Sequence, residues 1–152
     1  MSNPTHDPLP AALMAAAVLV LLAGPAPAQT PSRDKTYKVE WVYRVRYGFQ
    51  DEWWRIFQKY QIAALDREQQ LGYVASYTVT RPGLHVSEES RWDYRIVITY
   101  RDQDGATHEG EVTKALFPDV AARKAEENRR WELTENHWDL PIHDIDPHQP
   151  AE

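Results

Sequence analysis

Residues 37–47, YKVEWVYRVRY, alternate large apolar or aromatic side chains with polar ones. Such strict alternation is typical of a β-strand with one covered face, so it predicts that the aromatic side packs against a core. The aromatic parity consists of Tyr37, Val39, Trp41, Tyr43, Val45 and Tyr47. The opposite parity is charged except at Val42, and consists of Lys38, Glu40, Arg44 and Arg46.

Residues 73–81 and 91–101 repeat this alternation and predict two further strands. Between the first and second strands, residues 49–71 change to a helical period, which predicts an amphipathic helix of about six turns that ends at Gly72. Trp54, Ile62 and Leu65 lie off its main apolar arc and are predicted to contact another chain. The arc consists of Phe49, Trp53, Ile56, Phe57, Tyr60, Ala63, Ala64 and Leu71.

The last third of the chain has a weaker pattern. Residues 111–137 are rich in Ala, Glu, Lys and Arg, which favour a second helix that Pro118 breaks or restarts. Residues 137–145 are predicted to be extended, with Pro141 at a sheet edge because proline cannot donate to a central ladder. The apolar stripe predicted for the helix is Phe117, Val120, Ala121 and Trp131.

The element order strand, helix, strand, strand, helix, strand is that of the ferredoxin-like βαββαβ unit. It predicts an α+β fold in which two helices cover one face of an antiparallel sheet. The second sheet face, which carries the polar parities, is then left bare.

With this order, with the long first helix DEWWRIFQKYQIAALDREQQLG and with its small size, the chain resembles the dimeric α/β-barrel superfamily over residues 37–146. The resemblance implies a homodimer in which two sheets set their open faces together around a cavity. The superfamily includes cofactor-free monooxygenases, haem-binding members, isomerase-like enzymes and proteins of no known activity. No shared motif allows catalytic residues to be transferred, so none is assigned.

The amino terminus predicts export. Residues 11–24 form an unbroken apolar run, and residues 26–28, APA, have the small-x-small form of a signal-peptidase site. Cleavage after Ala28 would leave Gln29 as the first residue of a periplasmic or secreted protein. The run falls short of the roughly 20 residues of a membrane-spanning helix, although an uncleaved anchor is the alternative because no Lys or Arg precedes the run.

These features predict four regions. They are a signal peptide at 1–28, a polar lead-in at 29–36, one ferredoxin-like domain at 37–146 and a disordered tail at 147–152.

Composition limits the partners. The whole chain has 17 basic and 23 acidic side chains and a formal charge of −6. Removing residues 1–28 removes Asp7 alone among them, which leaves 22 acidic side chains and a charge of −5. Nucleic-acid binding requires excess positive charge, so it is not expected. With no Cys, the chain has neither a disulfide nor a cysteine-linked lipid anchor, and no stable membrane anchor is predicted.

The polar parities offer one candidate ligand site. Arg44 and Arg46 from the first strand and Asp93 and Arg95 from the third would lie on neighbouring strands of the open face. Arginine suits bidentate contact with a carboxylate, so these residues predict a site for a small anionic ligand. The alternative is that they form cross-strand charge pairs without a ligand.

Two functional classes stay open. The first is an exported, dimeric, non-catalytic or small-ligand-binding protein, and the second is a cofactor-free barrel-type enzyme, monooxygenase-like or isomerase-like, that acts in the cavity between sheets. No catalytic residue, metal site or cofactor is predicted, because the sequence has no phosphate loop, no cysteine nucleophile and no nucleophile triad spacing.

Overall fold

A computed structural model describes residues 35–84 and 86–149 of the chain. The predicted signal peptide lies outside the described residues, as do residues 29–34 of the lead-in and 150–152 of the tail. Within the described ranges, no helix is both long enough and apolar enough to cross a membrane. The elements are β1 (Tyr37–Val45), α1 (Gln50–Phe57), a π-helical segment (Gln58–Ile62), α2 (Ala63–Leu71), β2 (Val74–Thr80), β3 (Tyr94–Tyr100), α3 (Glu109–Leu116), α4 (Val120–Leu133) and β4 (Thr134–Ile142).

The four strands form one antiparallel sheet with the order β2-β3-β1-β4. This is the strand order of the ferredoxin-like unit, so the predicted α+β fold is confirmed. Pro141 lies on the edge strand β4, opposite Val39 of β1. An edge strand has no neighbouring strand on its outer side, so proline removes no ladder hydrogen bond there.

The aromatic parity of β1 packs on the helices as predicted up to Val45, whereas Tyr47 lies beyond the strand and is 69 % exposed. Tyr43 and Val45 are buried, and alternate residues of β3 from Tyr94 to Tyr100 join them in the core. Trp53 and Phe57 of α1 cover this face of the sheet. The partly buried side chains that pack against the same core include Tyr37, Val39 and Trp41.

The long first helix is present but does not keep a uniform α period. The π-helical segment adds a residue to one turn and so rotates the side chains that follow it. As a result Leu71, predicted to lie on the buried arc, is 44 % exposed, whereas Glu68 is fully buried. The helix ends at Gly72, whose positive φ of 82° favours glycine.

The packing of the helix also corrects the prediction that Trp54, Ile62 and Leu65 contact another chain. Leu65 is buried in the core of its own chain, and Trp54 and Ile62 pack against that core. These three residues do not form a docking patch.

The second predicted helix consists of α3 and α4, which Pro118 separates. The Asp119 side chain caps α4 by accepting a hydrogen bond from the Ala122 N–H at 3.0 Å. The predicted stripe is wrong for α4, because Val120 and Trp131 are exposed and the buried side chains are Arg130 and Leu133.

The second face of the sheet carries the other parity. Val42 is fully buried on it, in register with Arg95 of β3 and Trp138 of β4. Trp138 and Leu140 of β4 are 36 % and 43 % exposed. This open face is therefore apolar along β4 and charged along β1 and β3.

Candidate functional site

The fold carries two groups of polar side chains that could form a site: the arginines of the open face and a largely buried set on the side of the helices. Arg44, in the first group, is held by acidic side chains of its own chain. It forms an ion pair with Glu88 and lies, through Nε, 3.2 Å from Oε2 of Glu135. Its Nη1 also donates to the Glu88 carbonyl at 2.8 Å. Two carboxylates thus neutralise Arg44.

Arg46 and Asp93 bind the backbone. The β1–β4 register shifts between Arg44 and Val45, and beyond this shift the Arg46 Nε donates to the Glu132 carbonyl at 2.7 Å. Asp93 Oδ2 accepts a hydrogen bond from the Val45 N–H at 2.8 Å. Asp93 therefore ties the start of β3 to the end of β1.

Arg95 lies apart from the other arginines. Its Nε is 3.0 Å from Glu40 Oε1, and its guanidinium carbon is 4.7 Å from the centre of the Trp92 ring. The structure therefore places each predicted arginine against a different partner and does not bring the four residues together around one point. The anionic-ligand site predicted from them stays a prediction.

Arg91 links acidic side chains from different segments of the chain at this end of the sheet, although the sequence pattern did not indicate such a role. Its side chain is 7 % exposed, Nη2 lies 2.7 Å from Glu135 Oε2 and Nη1 lies 3.4 Å from Asp93 Oδ2. The guanidinium also lies 4.0 Å from the centre of the Tyr47 ring. Because Arg91 forms ion pairs with carboxylates of its own chain, we interpret this network as structural.

The second group begins with Glu68 on α2, whose side chain is fully buried. Neither of its carboxyl oxygens has a hydrogen-bond partner in the structure. Burial, together with the nearby negative charge of Glu109, raises the pKa of Glu68 to about 7. A carboxyl with this pKa changes protonation near neutral pH.

Arg130 on α4 is buried in the same way. It is 3 % exposed, and its Nε and Nη1 have no hydrogen-bond partner. Among the described residues it makes no ion pair within 4 Å. Aromatic rings surround it instead: its guanidinium carbon is 4.6 Å from the Trp131 ring centre and 5.8 Å from that of Tyr43. Burial lowers the pKa of Arg130.

Tyr43 joins Arg130 to β4. Its ring stacks on His137 at a centroid distance of 4.3 Å, and His137 Nε2 lies 2.9 Å from Asp139 Oδ1. Burial raises the pKa of Tyr43, while the adjacent positive charge of Arg130 lowers it in part. Burial lowers the pKa of His137, and Asp139 opposes that shift.

Tyr100 of β3 is a further buried group of this set. Burial raises the pKa of Tyr100, and the charges of Glu68 and Glu109 add to the effect. The crowding of protein around the Glu109 carboxyl raises its pKa, as does the charge of Asp139. We call this set the interior polar cluster; its buried or half-buried members are Tyr43, Glu68, Tyr100, Arg130 and His137, and its exposed members are Glu109 and Asp139.

The interior polar cluster can hold hydrogen-bonding groups of both kinds. Arg130 offers donors, Glu68 offers an acceptor or, when protonated, a donor, and Tyr43 lies between aromatic surfaces. Within residues 35–84 and 86–149, no group of three His, Asp or Glu side chains is arranged to hold a metal ion. The side chains of the cluster offer hydrogen bonding and proton transfer.

The sequence pattern does not identify Glu68 and Arg130 as buried residues, and the reason is physical. Both are charged residues in helical segments, where charge normally marks the solvated side. The burial of Glu68 depends on the π-helical segment, which no residue pattern in 58–62 announced. Arg130 lies in the run NRRW, which does not distinguish it from the neighbouring Arg129.

Comparison with solved structures finds this fold in proteins of very low sequence identity. A dimeric ferredoxin-like protein from an uncultured marine organism has a TM-score of 0.51 and 9 % identity, covering 79 % of this chain and 97 % of that chain. A candidate antibiotic biosynthesis monooxygenase from Caulobacter crescentus CB15 has a TM-score of 0.50 and 14 % identity, covering 74 % of this chain and 92 % of that chain. These likenesses establish the fold alone.

No protein-family model matches the sequence, and no curated protein matches it either. The class that can be stated is therefore structural: the chain has the ferredoxin-like α+β fold, and its resemblance to the dimeric α/β-barrel superfamily is confirmed at the level of fold.

Proposed function

We propose that this chain is an exported, homodimeric protein that binds a small polar molecule at the interior polar cluster. The observation that carries the proposal is the burial, without hydrogen-bond partners, of both Glu68 carboxyl oxygens and of Nε and Nη1 of Arg130. A buried charged group without a partner costs several kcal/mol, in order of magnitude, so proteins normally supply one. A ligand with an acceptor for Arg130 and a donor for Glu68 would supply both.

A ligand search on the purified protein tests this proposal. Native mass spectrometry would report a retained small molecule, and thermal melts against polar metabolites would report a stabilising one. We expect Glu68→Gln and Arg130→Met to abolish the ligand-induced rise in Tm. Matched controls are Glu111→Gln and Arg55→Gln, because both parent residues are exposed.

One result of these melts would refute the ligand-binding proposal. If both cluster variants melt above the parent and no compound shifts the parent, the cluster is a structural defect that the fold tolerates, and the ligand-binding function is wrong.

The alternative is a cofactor-free enzyme at the same place. The observation that favours it is the Glu68 pKa of about 7, because a general acid or base works best when its pKa lies near the working pH. Turnover that depends on the ionisation of Glu68 would distinguish the enzyme from a binding protein. Glu68→Gln would then abolish turnover while leaving Kd for the substrate nearly unchanged.

The homodimer is supported by the open face. The apolar row Trp138, Leu140 and Ile142 alternates along β4 on that face, and exposed apolar rows of this kind are a common mark of contact sites. The marine ferredoxin-like protein is described as dimeric, which agrees with pairing of this fold. We propose that two copies meet through these faces.

Export to the periplasm or beyond the cell rests on the amino-terminal sequence alone. The apolar run at 11–24 and the APA sequence at 26–28 support a cleaved signal peptide, with Gln29 first in the mature chain.

A further inference from the structure

Two concave surfaces meet at the end of the sheet where β2 ends and β3 begins. One cavity has a volume of about 190 Å³ and the other about 230 Å³. Both are lined by Arg81 and Tyr94. Trp92 lines the first and Trp54 lines the second, so aromatic side chains flank Arg81 on either side. None of these four residues belongs to the interior polar cluster.

Contacts within the chain fix the aromatic wall of these two cavities. The Tyr94 ring lies 5.0 Å from Trp54 and 4.8 Å from Trp53, and each pair is within 10° of parallel. Its hydroxyl donates to the Gln50 carbonyl at 3.3 Å. Three stacked rings fix the wall before any ligand arrives, which lowers the entropy lost when a flat molecule binds.

Arg81 is the available cation. It is exposed, and within the described part of the chain it makes neither an ion pair nor a hydrogen bond. The nearby arginines differ, because Arg44, Arg91 and Arg95 each lie against carboxylates. Burial raises the pKa of Tyr94, the positive charge of Arg81 opposes that shift, and the negative charges of Asp93 and Asp51 add to it.

The carboxylate that lines the same cavity does not compete for Arg81. Asp93 accepts a hydrogen bond from the Val45 N–H at 2.8 Å and lies 3.4 Å from Arg91 Nη1. Asp93 is thus paired with the Val45 N–H and with Arg91. The cavity thus combines a fixed aromatic wall with one unneutralised guanidinium.

We propose that this is a binding site for a small aromatic carboxylate, whose acid group pairs with Arg81 and whose ring lies against the wall that Trp54 and Tyr94 form. A guanidinium pairs with a carboxylate through two parallel hydrogen bonds, and a flat ring adds stacking. The site does not depend on the interior polar cluster.

Benzoate and its neutral isostere benzamide are suitable probes, followed by NMR titration of the full mature protein. We expect benzoate to bind and benzamide to bind about tenfold more weakly or worse, because only benzoate carries the charge. Arg81→Gln should weaken benzoate by about tenfold or more and leave benzamide unchanged. Trp54→Leu should weaken both.

Two controls separate this site from others. Arg55→Gln, which removes an exposed arginine of α1 that lines neither cavity, should leave benzoate binding unchanged. Glu68→Gln, which perturbs the interior polar cluster, should also leave it unchanged. Equal benzoate affinity in Arg81→Gln, loss of binding in Glu68→Gln, or a parent Kd for benzoate weaker than about 10 mM would overturn the proposal.

Discussion

Tyr43 of β1 and His137 of β4 stack at a ring-centroid distance of 4.3 Å, with 29° between their planes. The two residues are directly opposite in the β1–β4 register, so the sheet itself brings them together. His137 also lies 2.9 Å from Asp139 through Nε2. The imidazole is thus held between an aromatic face, which disfavours hydration, and a carboxylate, which favours its charged form.

The effect of burial is larger than that of Asp139, so the pKa of His137 is lowered. We therefore expect an NMR titration midpoint for His137 below about 6.5, the ordinary value. A histidine with a lowered folded-state pKa binds fewer protons than its unfolded form, so its contribution to stability falls as pH drops below about 6.5. Asp139→Asn should lower the midpoint further, because the opposing carboxylate is gone. A midpoint at or above the ordinary value would contradict this account of the pocket.

Glu68→Gln should stabilise the ligand-free protein at pH 8. The pKa of Glu68 rises from 4.5 to about 7 on folding, so the folded state holds the extra proton and stability falls as pH rises from about 4.5 to 7. The ionised form then costs about 3 kcal/mol at pH 8, which glutamine avoids. Urea unfolding at pH 5 and pH 8 measures this difference.

Glu111→Gln is the control, because the Glu111 side chain is 87 % exposed. It should leave the pH dependence of the unfolding free energy as it is in the parent. A Glu68→Gln protein that retains the parent's pH dependence would show that Glu68 is hydrated or paired in solution.

The sheet and its covered face could be predicted because each depends on a local pattern. Period-two alternation in β1 and β3 identified the buried aromatic side chains, and Gly72 marked the helix end. The alternation does not predict the positions of the Arg91 and Trp92 side chains. They precede the first residue of β3, so Arg91 lies buried among carboxylates and Trp92 lies against Arg95, both opposite to the alternation.

The interior polar cluster could not be predicted because it depends on non-local geometry. A π-helical turn has no sequence signature here, yet it moves Glu68 to the buried side and Leu71 to the exposed side. Which of Arg129 and Arg130 is buried depends on how α4 packs on α1, and Arg129 instead pairs with Glu52 at 2.8 Å. Site residues of this kind require tertiary structure.

Leu140→Lys should convert the proposed homodimer into a monomer. Leu140 is 43 % exposed at the open face, so lysine should not disturb the core, whereas two copies facing each other would bury a cation in an apolar row. Light scattering at micromolar concentration should report about twice the chain mass for the parent and one chain mass for the variant.

Leu116→Lys serves as the control for that experiment. Leu116 has similar exposure, 38 %, but lies on α3 at the helical side. It should remain dimeric. A monomeric parent would refute the pairing, and a dimeric Leu140→Lys protein would place the contact on another surface.

The mature protein should begin at Gln29 when it is produced in an exporting cell. Intact-mass measurement of the soluble envelope or medium fraction gives the terminus directly. Ala28→Leu should block cleavage, because signal peptidase requires a small residue at that position, whereas Pro27→Ser should be processed normally. Soluble parent protein that retains residues 1–28 would refute cleavage.

The combined substitution of Arg44 and Arg95 by Met tests whether the open face binds an anion or only balances charge. Arg44 lies against Glu88 and Glu135, and Arg95 lies 3.0 Å from Glu40. Methionine keeps the aliphatic stem but removes the guanidinium partner of Glu40 and one of the partners of Glu88 and Glu135, which Arg91 still contacts, so we expect a lower Tm. The loss should be modest, about 1 kcal/mol per exposed pair, because water screens such charges. Thermal melts with and without a panel of small acids measure both effects. A double variant that melts like the parent but loses an acid-induced rise in Tm would show instead that the two arginines bind a ligand.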